Sequence, residues 1–73
     1  MKKLPRLKSS EVVKALKKAG FIEKRITGSH MRLAHSNGRK VTVPIHGKDV
    51  PIGTLKSVLR QTQLSNDEFL DYF

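Results

Sequence analysis

The chain has 73 residues, 37% of them hydrophobic, with 15 Lys+Arg against 6 Asp+Glu for a formal net charge of +9, and no cysteine. No apolar run approaches the roughly 20 residues needed to cross a bilayer, so no membrane span is expected, and without cysteine there is neither a disulfide framework nor a thiolate zinc site. A chain this short buries only about 60% of its unfolded surface, which predicts a single domain over residues 1–73, held by packing alone, soluble and cytoplasmic.

Met1-Lys2-Lys3-Leu4-Pro5-Arg6 is not followed by an apolar stretch, so no targeting segment is expected. In "LKSSEVVKALKKAGF", Ser9 or Ser10 is the expected N-cap and Glu11 falls in the first turn. Val12, Val13, Leu16 and Ala19 share one face, and Gly20 ends this amphipathic helix. Lys14, Lys17 and Lys18 occupy its polar side. Three strands follow, each predicted half-buried: "FIEKRIT" alternating around Ile22 and Ile26, "HMRLAH" around Met31 and Leu33, and "KVTVPI" around Val41, Val43 and Ile45. Gly28-Ser29 and Ser36-Asn37-Gly38 are the turns of an antiparallel meander. Pro51 and Gly53 then break the chain. "TLKSVLRQTQL" carries Leu55, Val58, Leu59 and Thr62 at helical spacing, a second amphipathic helix. "SNDEF" matches a capping box with Ser65 and Glu68 in reciprocal positions, so a short third helix is predicted to bring Phe69, Leu70 and Phe73 to the core. The predicted class is α+β: a three-stranded antiparallel sheet with helices on one face, the other face in water.

Cations cluster on the strands. From Lys24 to Lys48 there are six Lys+Arg and no acid, whereas four of the six acids lie at or beyond Asp49. Such a surface attracts a polyanion through counterion release, pointing to nucleic acid or an acidic protein partner. If Met31 and Leu33 face the helices, strand parity sends His30 and Arg32 to the solvated face. Gly28 and Ser29 beside it leave room for a phosphate or sugar, and Arg25, Arg32, Arg39 and Lys40 supply charge for phosphate oxygens. An imidazole exchanges a proton near neutral pH, so RNA, which carries its own 2′-hydroxyl nucleophile, is a fitting substrate. Read on chemistry alone, His30 is either this acid–base group or an inert surface residue. His35, beside a turn, reads as a surface residue. His46 either fixes its loop or touches substrate from the sheet edge. The three histidines have no Cys, Asp or Glu ligand in their segment, so no metal or cofactor is expected.

Gly20-Phe21 after the first helix, Gly28-Ser29-His30, Val43-Pro44 with His46-Gly47, and Gly53-Thr54-Leu55 leading into Leu59-Arg60-Gln61 stand in an order and spacing that resembles the HicA toxin family of toxin–antitoxin pairs over nearly the whole chain. The resemblance implies a double-stranded-RNA-binding-domain-like α-β-β-β-α fold, here with a short extra C-terminal helix. It also implies ribosome-independent mRNA cleavage, His30 as catalytic histidine, and neutralisation by an acidic HicB-type antitoxin covering the His30 face. Two features depart from that pattern. The second helix begins with Gly53, Thr54 and Lys56 in place of the lysine run by which such domains grip duplex phosphates, leaving a helix N-terminus able to accept one phosphate. Met31 follows His30 where many relatives carry a second histidine or an aromatic. The expected function is a metal-independent endoribonuclease toxin; a non-catalytic RNA-binding module using the basic sheet face is the alternative. No helix-turn-helix pattern is present, so no direct DNA binding is expected.

Overall fold

A computed structural model describes residues 4–45 and 49–73. Its elements are β1 (Leu7–Lys8), α1 (Ser9–Lys18), β2 (Ile22–Thr27), β3 (His30–Ala34), β4 (Lys40–Pro44), β5 (Asp49–Val50), α2 (Ile52–Thr62) and α3 (Asn66–Leu70). The fold is the expected α+β arrangement: β2, β3 and β4 form an antiparallel sheet in that order, consistent with a double-stranded-RNA-binding-domain-like topology. Alternation in β3 and β4 buries Met31, Leu33, Val41 and Val43 beneath the helices. Val12, Leu16, Leu55, Val58 and Phe69 close the core from the other side. Each such aliphatic side chain contributes about 1.5–3 kcal/mol on burial.

Both ends of the helical layer differ from the sequence-based expectation. Leu7 and Lys8 pair with Val50 and Asp49 in a two-stranded antiparallel ribbon, β1–β5, that fixes how the chain enters α1. Lys8 is therefore the N-cap, in place of Ser9 or Ser10, and the Glu11 carboxylate accepts its backbone N–H at 3.0 Å. Similarly, α2 begins at Ile52, capped by Pro51, so Gly53 lies inside the first turn and breaks nothing. In α3 the capping box is as expected: Ser65 Oγ accepts the Glu68 N–H and the Glu68 carboxylate accepts the Ser65 N–H. Phe69 is fully buried and Leu70 half-buried. Phe73 is 51% exposed, its ring set edge-on to Phe69 at 5.2 Å, because the helix ends at Leu70 and no longer carries it inward.

The largest correction concerns β2, predicted half-buried and found exposed along its whole length, with Ile22 59% and Ile26 51% accessible. Two causes combine. The two long helices pack on β4, the far side of the sheet from β2. In addition, a bulge at Lys24 inserts one residue between the Glu23↔Leu33 and Arg25↔Arg32 pairs. Two isoleucines four apart share a face in a regular strand; here the extra residue separates them. Ile26 pairs with Met31 on the helical side, whereas Ile22 pairs with Ala34 on the open side.

His35 also departs from its expected surface role. It is half-buried, its ring edge-on to Phe21 at 5.1 Å, and Nδ1 accepts the Asn37 N–H at 3.1 Å. The turn above it is the expected one, with Asn37 Oδ1 accepting the Arg39 N–H. Gly20 lies against the imidazole: at φ +102° it is in glycine territory, and a Cβ there would come within 2.7 Å of Nε2.

Two substitutions test this packing by urea unfolding. Leu59→Ala is expected to lower stability by about 2–5 kcal/mol through the cavity it leaves. Gly20→Ala is expected to lose about 1–3 kcal/mol from backbone strain and collision with His35. A wild-type-like midpoint for Gly20→Ala would mean that His35 does not hold that position.

Candidate nucleic-acid interface

The site begins with the parity of β3. Because Met31 and Leu33 are buried, His30 and Arg32 emerge on the open face, both exposed. Antiparallel register then decides what stands beside them. His30 is flanked by Thr27 on β2 and Pro44 on β4; Arg32 is flanked by Arg25 and Thr42; Lys40 lies opposite Ala34. The open face thus carries His30 at the end near the β2–β3 turn, with arginines and a lysine behind it.

The β2–β3 turn itself is open. Gly28 has φ +58°, and a Cβ built there would meet nothing within 4 Å. Ser29 is half-buried, and its carbonyl accepts the Ile45 N–H at 2.6 Å, which ties the turn beside His30 to the end of β4. A backbone with free space beside a protruding imidazole admits a sugar–phosphate chain.

Lys24, Arg25, Arg32 and Lys40 line a groove of about 620 Å³ across the open face, with Thr42 and Gln61 along its β4 side. No acidic residue lines it. Gln61 comes from α2 and is held at both ends of its amide: Oε1 accepts the Thr42 N–H at 3.1 Å and Nε2 donates to Ser57 Oγ at 3.3 Å. Neither Lys24 nor Gln61, the latter quoted only as part of a motif, was among the site residues expected from sequence. Lys24 joins the groove beside Arg25 at the bulge, and a bulge leaves no mark in a strand-like pattern; Gln61 is recruited by contact between α2 and β4.

The remaining expected residues lie elsewhere. Arg39 is half-buried and donates from Nη1 to the Thr62 carbonyl at 3.2 Å, bracing the β3–β4 turn against the end of α2. Thr54 and Lys56 sit in the first half of α2, in the helical layer, the former half-buried and the latter exposed. His46 lies outside the described residues. Of the cations on α1, Lys17 pairs with Glu23 at 3.4 Å, on the helical side of the sheet. Among the described residues, no helix is long and apolar enough to cross a membrane.

Residues 9–64 match the family model of the HicA toxin of bacterial toxin–antitoxin systems. No match is found among curated proteins.

The electrostatics around Arg39 are testable apart from any activity. The hydrogen bonds from Ser65 hold the Glu68 carboxyl below the usual carboxylate range, and the Arg39 guanidinium lowers it further. A folded pKa below the unfolded one means that the ionised carboxylate stabilises the fold above the unfolded value, and that this contribution is lost as pH falls through the folded value. Glu68→Gln is therefore expected to be less stable than wild type near neutrality, with the gap closing as pH falls through and below the ordinary carboxylate range. Thermal melts across that range check it; a gap that widens on acidification contradicts the assigned cap.

Proposed function

The chain belongs to the HicA toxin family of toxin–antitoxin systems, and from that premise we propose that it is a metal-independent endoribonuclease that cleaves mRNA with His30 as general acid or base. A toxin role follows from membership. The observation that carries the enzymatic reading is the position of His30: an exposed imidazole on a basic sheet face, beside a turn with free space around its backbone.

Chemistry at such a site needs little else. The ribose 2′-hydroxyl attacks the adjacent phosphorus, one proton leaves that hydroxyl, and one is delivered to the departing 5′-oxygen. His30 performs one of these transfers. Arg25, Arg32 and Lys40 hold phosphate oxygens of the substrate backbone, and Arg25 and Arg32, the nearer to His30 in register, help to offset the charge that builds at phosphorus. Gly28 and Ser29 let the backbone of the substrate approach the ring. Thr54 and Lys56 at the start of α2, together with Arg39 and His46, complete the set proposed to contact or position RNA. The neutralising partner is an acidic HicB-type antitoxin that covers the His30 face, and the setting is cytoplasmic.

One observation favours the competing reading of a catalytically silent RNA-binding module. Among the described residues, His30 has no hydrogen-bond partner to orient its ring. The substrate must then supply the orientation, as expected where catalytic hydrogen bonds tighten only in the bound complex.

Two measurements separate the readings. Purified protein is expected to cut single-stranded RNA in the presence of EDTA, and His30→Ala is expected to lower the rate by about 10²–10⁴-fold while leaving the circular-dichroism melt unchanged. Growth inhibition on induced expression should disappear with the same substitution. Intact RNA after incubation with wild-type protein, or unchanged cleavage by His30→Ala, defeats the proposal.

A further inference from the structure

We infer that the groove formed by Lys24, Arg25, Arg32 and Lys40 is a flanking-phosphate subsite, which grips single-stranded RNA on the side of the bond presented to His30 that runs toward Ala34. The inference rests on the endoribonuclease reading above and adds to it a length requirement and a direction for the substrate.

The geometry is asymmetric along β3. His30 opens the strand; Arg32 follows two residues on, and Lys40 lies opposite Ala34, two residues further. At 3.3–3.4 Å per residue, the cations sit about 7 and about 13 Å from His30 in one direction. In the other direction the strand ends at the turn, where the described residues Thr27, Gly28, Ser29 and Pro44 carry no charge. A strand laid over His30 therefore meets, among the described residues, phosphate-binding groups on the flank that runs toward Ala34.

The bulge is what makes this flank dense. Without it Lys24 and Arg25, adjacent in sequence, would point to opposite faces; with it both line the same groove as Arg32 and Lys40. Among the described residues, none of the four cations is paired with a carboxylate, so their charge is available to a ligand. The doubly anchored Gln61 amide fixes the β4 side of the groove before anything binds. The start of α2, with Gly53, Thr54 and Lys56, lacks the lysine run by which duplex-RNA domains grip phosphates, so the proposed ligand is a single strand.

The test uses oligonucleotides that share one mapped cleavage site and carry four extra nucleotides on the 5′ side, on the 3′ side, or on neither. One extension is expected to raise kcat/KM at least about tenfold and the other less than about twofold, and the gain should vanish in a Lys24→Gln/Arg32→Gln double variant. Deleting Lys24, which restores a regular ladder between Glu23↔Leu33 and Arg25↔Arg32, should reduce the gain without unfolding the protein. In parallel, binding of intact single-stranded RNA is measured in the His30→Ala background across a salt series. Removing two phosphate contacts should lower the log–log salt slope by about 1.4, at about 0.7 per contact for single strands. Equal gains from both extensions, an unchanged slope, or an equal loss of duplex binding overturns the subsite. If His30→Ala still cleaves while the slope falls as expected, the catalytic assignment fails and the groove stands; if wild type cleaves and the slope is unchanged, only the groove fails.

Discussion

The alternation of β3 is the constraint on which the molecule depends. Met31 and Leu33 are buried with Val41 and Val43 because together they form the apolar sheet face that α1 and α2 cover. That burial alone expels His30 and Arg32 into solvent. A slip of one residue would place an imidazole and a guanidinium under the helices, where burial of an unpaired charge is strongly destabilising. Core and candidate site are thus two sides of one pattern, and evolution of one face is tied to the other through the backbone between them.

Register carries this constraint across the sheet. Arg25, Arg32 and Thr42 form one rung, and Thr27, His30 and Pro44 another. The bulge at Lys24 modifies only β2, yet it changes what the open face can do. It turns Glu23 toward α1, where it meets Lys17, and so takes the acid nearest the strand cations away from them. It also sends Ile22 to the open face, while Ile26 stays on the helical side at the uncovered edge of the sheet. Ile22 is thus exposed by the same backbone irregularity that concentrates positive charge, and Ile26 because the helices pack on β4 and leave β2 uncovered.

Much of this was legible in the sequence because it is set locally. The two turns, the capping box of α3, the apolar faces of α1 and α2, and the sides on which β3 and β4 present their residues follow from spacing and turn chemistry over a few residues. What escaped was set at a distance. The N-cap of α1 moved to Lys8 because Leu7 and Lys8 pair with residues more than 40 positions away. His35 is a packing residue because Phe21 and Gly20 approach it from the end of α1, and Arg39 is engaged because the end of α2 offers a carbonyl. The bulge escaped for a different reason: Ile22 and Ile26 have the spacing of a regular strand, and nothing in "IEKRIT" marks the extra residue.

The distribution of charge links fold to function more tightly than the net value of +9 does. Arg39 braces the β3–β4 turn, Lys17 pairs with Glu23, and the acids Asp67, Glu68 and Asp71 gather around the third helix, which packs on α1. Among the described residues, Lys24, Arg25, Arg32 and Lys40 on the open sheet have no carboxylate partner. Beyond a Debye length of about 8 Å their field is screened, so it acts on what lies against the sheet and little on what passes at a distance. On the reading proposed above, RNA and an acidic antitoxin are drawn by the same groups to the same face, and each must displace the other to bind. Neutralisation then requires no change of shape in the toxin. It requires only a partner whose carboxylates occupy the groove more persistently than the phosphates of a message do, and the rigid sheet presents the same surface to both.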